Sequence, residues 1–444
     1  MSRHTNRSPM IRGYREFLER KIAAAPADGI DVDPDRLHPF LHPWQRDIVA
    51  WALKTGRAAI WADTGLGKTV MQIEWAQRIG GTVLIVAPLA VCQQTAQVEA
   101  PKVSATATYV RSGDEITGPG IWVTNYEMVH RFNPAALTAV VLDEASILKQ
   151  SDGKTRTMLI RHFRDVPYRL ACTATPAPND PEELTNQAEF LGHMTRVNML
   201  AAYFVHDADG WRPKGHARAP MLSWMATWAV ALRKPSDIGG DDTGYDLPGL
   251  DVVPEILPID VVPDGQLFAT DLGGVGGRAA MRRATLEARV GRTIDIVHAE
   301  PDEPWVLWCG LNDEADALTA GIPDAVNVHG SMPPEDKADR FLRFAAGDIR
   351  VLVTKPSMAS FGLNWQHCAR TAFVGINDSY ETYYQAIRRF YRFGQTRVVR
   401  AHVVVSSIEQ QIAENVRRKE TEAAAISSAL VTEMQRARQE RTAV

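Results

Sequence analysis

The sequence is short of several things, and each shortage excludes a class of protein. Its 444 residues contain no uninterrupted apolar run of the roughly 18 residues a membrane helix needs, and the opening Met1-Ser-Arg-His-Thr-Asn-Arg leads into charged sequence. Neither a membrane span nor a secretory signal is visible. There are only four cysteines, Cys92, Cys172, Cys309 and Cys368, far apart, each among apolar neighbours, with no C-x-x-C pair. A disulfide framework is excluded, and buried thiols in a reducing, cytoplasmic compartment are expected. Net charge is also small: 49 basic against 53 acidic residues leave −4, so a nucleic-acid surface has to be a local basic patch. Internal repeats and low-complexity tracts are missing as well, which excludes a solenoid. What remains, 45% hydrophobic and 23% charged, is the composition of a soluble globular chain long enough for two or three domains.

Residues 1–35 are basic and then rich in Pro and Asp, which predicts a short helix and a lead-in strap without chemistry. From His42 to Pro176 short apolar runs end in Gly, Pro or Asp: Ala58 to Trp61, Val83 to Ala87, Ile121 to Thr124, Val140 to Leu142 and Tyr168 to Cys172. Continuous rather than alternating hydrophobicity predicts strands buried on both faces, hence a parallel α/β sheet. The middle carries Trp211, Trp224 and Trp228, helix-length segments and a loop-like Gly239-Gly240-Asp241-Asp242-Thr243-Gly244, and reads as a mainly helical insertion and linker. After Pro304 the alternation resumes with runs at 306–309, 326–329, 351–353, 371–374 and 398–405, a second α/β unit. From Ser407 onward a long surface helix is predicted. The expected division is 1–35, 36–190, 191–292, 293–406 and 407–444.

Ala62-Asp63-Thr64-Gly65-Leu66-Gly67-Lys68-Thr69 follows an apolar strand and opens an amphipathic stretch, the order of a phosphate cradle. Loop N–H groups and the positive end of the helix suit a β-phosphate, Lys68 reaches the β and γ oxygens, and the Thr69 hydroxyl suits Mg²⁺. ATP or GTP is the expected ligand, although the usual leading Gly is Ala62 here. A second strand, Ala139-Val140-Val141-Leu142, ends in Asp143-Glu144, which sets Asp143 on the metal and Glu144 beside an attacking water.

The ordered set Gln45, ADTGLGKT, Asp143-Glu144-Ala145-Ser146 and Thr173-Ala174-Thr175-Pro176 resembles the motifs of superfamily two helicases and translocases. Gly362-Leu363-Asn364-Trp365 and Gln385-Ala386-Ile387-Arg388-Arg389-Phe390-Tyr391-Arg392-Phe393-Gly394-Gln395 resemble the last motifs of its Swi/Snf-like branch. Asp378-Ser379-Tyr380-Glu381 and Lys355-Pro356-Ser357-Met358 look most like compact bacteriophage and prophage helicases. The resemblance implies two RecA-like P-loop parallel-sheet domains in tandem around the helical linker. ATP and Mg²⁺ lie between them, with Gln45, Thr64, Gly65, Leu66, Gly67, Lys68, Thr69 and Gly362 holding the nucleotide. Lys68, Asp143, Glu144, Gln385, Arg389 and Arg392 are then catalytic, and Thr173 and Thr175 couple hydrolysis to movement. Arg389 and Arg392, three apart, share a face if their segment is helical. Pro88, Leu89, Thr124, Asn125, Tyr126, Thr354 and Lys355 are the expected contacts to a sugar-phosphate backbone. Arg278, Arg282, Arg283, Arg289 and Arg292 either add a basic patch or form a solvated helix. Asp271-Leu272-Gly273-Gly274-Val275-Gly276-Gly277 reads as a hinge.

The branch implies an ATP-driven translocase or helicase on nucleic acid, DNA favoured, acting as a monomer with replication or recombination proteins as possible partners and, if phage-encoded, in a bacterial host cytoplasm. A non-unwinding clamp or switch and an RNA helicase are the alternatives. Two departures stand out: Ser146 replaces the usual His of the acidic motif, and the stretch from Thr354 to Asn364 is longer than usual. The middle segment leaves no room for the insertions of chromatin remodellers.

Overall fold

The structure, a computed structural model, describes residues 27–149, 153–177, 180–207, 210–258, 283–361, 365–375, 380–407 and 410–442. The first lobe is built on β1 (Arg57–Ala62), β2 (Thr82–Ala87), β3 (Ala107–Tyr109), β4 (Gly120–Asn125), β5 (Ala139–Asp143) and β6 (Tyr168–Thr173). A hairpin, β7 (Phe204–Asp207) and β8 (Gly210–Pro213), stands apart, and β9 (Ala229–Leu232) returns to the sheet. The order is β3-β4-β2-β5-β6-β1-β9, every pairing parallel. The second lobe has β10 (Leu250–Leu257), β11 (Trp305–Cys309), β12 (Ala325–Val328), β13 (Val351–Thr354), β14 (Arg370–Val374) and β15 (Val399–Ser406). Their order is β10-β15-β14-β11-β13-β12, again all parallel. The chain is therefore two parallel-sheet α/β domains.

The unbroken apolar runs have a direct cause. In the second lobe Val306, Trp308 and Leu352 enter one core, while Trp305, Leu307, Cys309, Val351 and Val353 enter another across the sheet. Alternate side chains meet cores on opposite faces, so both sets of positions are apolar. All four cysteines are buried and free.

Three expectations change. The segment expected as a helical insertion holds the helices Arg196–Tyr203 and Arg218–Met225, but it also supplies β9 to the first sheet and β10 to the second. The sequence from Ser407 does form one helix, Gln410–Thr442, yet it is not wholly on the surface: Leu430 and Val431 are buried in the first lobe's core. Arg233 Nη1 donates to Ser428 Oγ at 2.8 Å and Gln435 Nε2 to the Asp237 carbonyl at 3.0 Å, so the last helix runs beside the link between the lobes. Of the arginine cluster, Arg289 is fully buried, its Nη1 on Glu314 at 2.6 Å, and Arg292 pairs with Glu255. Those two are structural rather than a basic patch. Arg278, Arg282, the hinge 271–277, Gly362 and the expected helix within 1–26 lie outside the described residues.

Candidate nucleotide site between the lobes

Register brings the first half of the site together. Trp61 pairs with Thr173 and Asp143 with Cys172, so the carboxyl ends of β1, β5 and β6 lie side by side, where open parallel sheets hold their ligands. Gly65 (φ 89°) and Gly67 (φ 74°) adopt left-handed backbone just before the helix Lys68–Ile79. A Cβ on Gly67 would stand 2.4 Å from Gln45 Nε2, so this position also has no room for one. Gln45 is buried; its Nε2 donates to the Leu66 carbonyl at 3.0 Å and its Oε1 accepts from the His42 amide at 2.9 Å. Its amide, expected to hold the nucleotide, is spent here on bracing the loop, and Gln45 does not line the cleft between the lobes. Lys68 Nζ donates to the carbonyls of Ala62 (2.8 Å) and Asp63 (3.3 Å).

The acidic pair follows β5. The Asp143 carboxylate is buried and accepts from Gln72 Nε2 at 2.7 Å. Burial, then the neighbouring Glu144 charge, push its carboxyl up to about 6, while Gln72 and Lys68 oppose them. Glu144 has φ 57° and ψ 55°, uncommon for a residue with a Cβ and of the kind that collects at functional sites. The turn delivers its carboxylate to Thr173, whose Oγ1 donates at 3.3 Å and in turn accepts from the Thr175 amide at 3.1 Å. Of the two threonines expected to couple hydrolysis to movement, Thr173 is therefore one hydrogen bond from Glu144 and Thr175 two.

The second lobe supplies the opposite wall. The helix Tyr380–Ile387 ends before the arginines, so Arg389 and Arg392 reach inward from the turn that follows and not from a helical face. They line one cleft of about 1260 Å³ with Gln385 and, from the first lobe, Thr64, Gly65, Gly67, Lys68, Thr69, Asp143 and Glu144. Burial moves the Arg389 guanidinium down to about 10, helped by Arg392 and opposed by Glu144 across the cleft. Burial also lowers Arg392, against the pull of Glu99. The buried Nε of each has no hydrogen-bond partner. Such a pair calls for an anion. The oxygen-only set of Thr69 and Asp143 fits a hard divalent cation such as Mg²⁺.

Sequence reasoning missed the contact between these halves. Asp63 accepts from Tyr384 Oη and pairs with Arg388 Nη2 at 3.0 Å. Asp63 stood in plain view inside the phosphate loop, and Arg388 beside Arg389; nothing in the residue spacing joins positions so far apart.

The expected nucleic-acid contacts divide. Leu89 is exposed, and Pro88 and Lys355 are half-buried. Thr124, Asn125, Tyr126 and Thr354 are buried, which corrects their reading as backbone contacts in this conformation. Tyr126 Oη donates to the Asp143 carbonyl, Asn125 accepts from Tyr109 Oη at 3.0 Å, and Thr354 Oγ1 donates to the Val328 carbonyl at 2.9 Å. Those three polar groups are spent within the protein, whereas the buried Thr124 Oγ1 has no hydrogen-bond partner among the described residues.

Residues 44–197 match the family described as the SNF2-related domain, and residues 288–394 match the helicase conserved C-terminal domain. The first span holds Gln45, Lys68, Asp143, Glu144 and Thr173, the second Gln385, Arg389 and Arg392. The DNA annealing helicase and endonuclease ZRANB3 of Bos taurus is 28% identical over 211 residues, 41% of this chain and 19% of that protein. That of Homo sapiens is 29% identical over 210 residues, again 41% and 19%. That of Mus musculus is 26% identical over 426 residues, 85% of this chain and 40% of that protein. The chain spans less than half the length of these curated relatives. Among solved structures, the Sulfolobus solfataricus SWI2/SNF2 ATPase core in complex with dsDNA aligns over 93% of this chain and 98% of its own at 17% identity and a TM-score of 0.44.

Proposed function

We propose that the chain, which matches an SNF2-related domain over residues 44–197 and a helicase C-terminal domain over residues 288–394, belongs to the Swi/Snf-like branch of the superfamily two ATPases and hydrolyses ATP to move along duplex DNA. The observation carrying this is that Arg389 and Arg392 face the same cleft as Lys68, Asp143 and Glu144.

In this reading the amides of residues 64–68 and the Lys68 ammonium hold the β- and γ-phosphates. Thr69 and Asp143 hold Mg²⁺, which neutralises phosphate charge when bound. Glu144, kept in place by Thr173, orients the attacking water and takes its proton. Arg389 and Arg392 stabilise the charge that develops on the transferred phosphoryl group. Because one lobe holds the phosphates and the other completes the site, ATP favours closure and product release favours opening. That alternation, coupled through Thr173 and Thr175, moves the grip along one strand. Support for a DNA track comes from the relatives, which are DNA annealing helicases by name. Pro88, Leu89 and Lys355 remain the best-placed contacts, and their chemistry carries little sequence information. Compact phage-type origin and a role beside replication or recombination proteins belong to the same proposal.

The test compares ATPase rates with duplex DNA, single-stranded DNA and RNA, alongside triplex displacement. Duplex DNA is expected to stimulate most and displacement to require ATP. Lower ATPase on adding DNA would remove the motor; stimulation without displacement points to a clamp.

A further inference from the structure

The geometry points to Asp63 and Arg388 as a latch between the lobes that positions Arg389 for the reaction, an inference that rests on the function proposed above. Asp63 is the first residue beyond β1, and each of its groups is engaged. Its amide donates to the Leu232 carbonyl at 3.0 Å, fixing it to β9. Its carbonyl accepts from Lys68 Nζ at 3.3 Å. Its carboxylate accepts from the Thr64 amide at 2.6 Å and from Tyr384 Oη, and pairs with Arg388 Nη2 at 3.0 Å. One residue of the phosphate loop therefore touches the loop's lysine on one side and the opposite lobe on the other.

Arg388 is oriented as firmly. Its guanidinium lies 4.8 Å from the Tyr384 ring centre and 5.3 Å from that of Tyr391, a cation between two aromatic faces. Both partners of the ion pair are mostly covered, with side chains 18% and 19% exposed, so water screens the pair less than it would a surface pair. Arg388 and Tyr384 line the nucleotide cleft and also a smaller cavity of about 190 Å³, to which Asp63 contributes. The latch is thus the partition between the two spaces.

The consequence is positional. Arg389 is the next residue in the same turn, so a fixed Arg388 leaves its neighbour little freedom along the cleft. Arg389 itself has no hydrogen bond at its buried Nε to hold it. Correct placement of that guanidinium then depends on the Asp63 carboxylate, whose partners are Thr64, Tyr384 and Arg388. Tyr384 adds direction, since a phenol donates along one line where an ion pair tolerates several.

The experiment uses the full chain with duplex DNA and compares wild type, Asp63→Asn, Arg388→Gln, the double variant and Arg388→Lys. It measures kcat and KM for ATP, with binding of a fluorescent ATP analogue read separately. A positioning role predicts a kcat loss of roughly tenfold in each single variant, with KM and analogue affinity changed by less than about twofold. The double variant should be no slower than the poorer single, because either change already breaks the pair. Arg388→Lys keeps a charge within reach of Asp63 and should recover part of the rate lost in Arg388→Gln. Additive losses, a loss confined to KM, or equal rates for the Lys and Gln variants overturn the latch. Undiminished variants in an active wild type overturn the latch alone, whereas an inactive wild type overturns the proposed function with it.

Discussion

Lys68 and Arg389 separate binding from chemistry. Lys68→Ala removes the only lysine of the phosphate loop and should abolish both nucleotide binding and turnover. Arg389→Ala should keep nucleotide affinity within a few-fold while kcat falls by about 10³ or more, as for other arginines that complete a phosphoryl-transfer site. Single-turnover kinetics with an independent binding assay tells them apart; normal turnover in Arg389→Ala would falsify the cleft between the lobes as the site. His193 supplies a pH prediction. Its ring stacks on Trp228 with centroids 5.1 Å apart, its Nε2–H donates to the Arg57 carbonyl at 2.9 Å, and burial lowers its pKa from 6.5 to about 4. Since the unfolded chain takes up that proton first, folding stability falls as pH drops from about 6.5 toward 4, by up to roughly 3 kcal/mol. Urea titrations at several pH values should show this slope in wild type and a flatter one in His193→Phe.

Among elements, the turn into the helix Lys68–Ile79 is the most exposed to change. Gly67→Ala sets a Cβ against Gln45 Nε2 and strains a φ of 74°, so thermal stability should drop by about 1–2 kcal/mol and ATP affinity with it. A Tm unchanged in that variant would refute the crowding. The strands that the sequence revealed were those with both faces covered, such as β5 and β11, because their apolar runs have no interruption. Those it hid lack either the cover or the length, for β9 is buried throughout yet very short. β10 alternates between covered and open positions at a sheet edge, and β9 is four residues long inside a segment rich in helix formers. The site was legible in the same uneven way. Lys68, Asp143, Glu144, Arg389 and Arg392 share one cleft as their motifs suggested. Asn125 and Thr354 end strands as contacts should, yet their side chains are taken by Tyr109 and Val328, which no local pattern reveals.

At the scale of the whole molecule, the last helix follows β15 of the second lobe and buries Leu430 and Val431 inside the first. Leu430→Ala should cost about 2–5 kcal/mol and lower the melting temperature of the first lobe, although residue 430 follows the second in sequence. The same helix touches Arg233 and Asp237 on the segment that leads from β9 to β10. Among the described residues two crossings, side by side, join the halves. A body pinned twice along one edge has lost the swivel of a ball joint and keeps the swing of a door. Opening of the cleft is accordingly expected to be a rotation about a single line, and cutting the chain after residue 406 should turn that swing into a tumble, seen as a broadened distance distribution between probes on the two sheets.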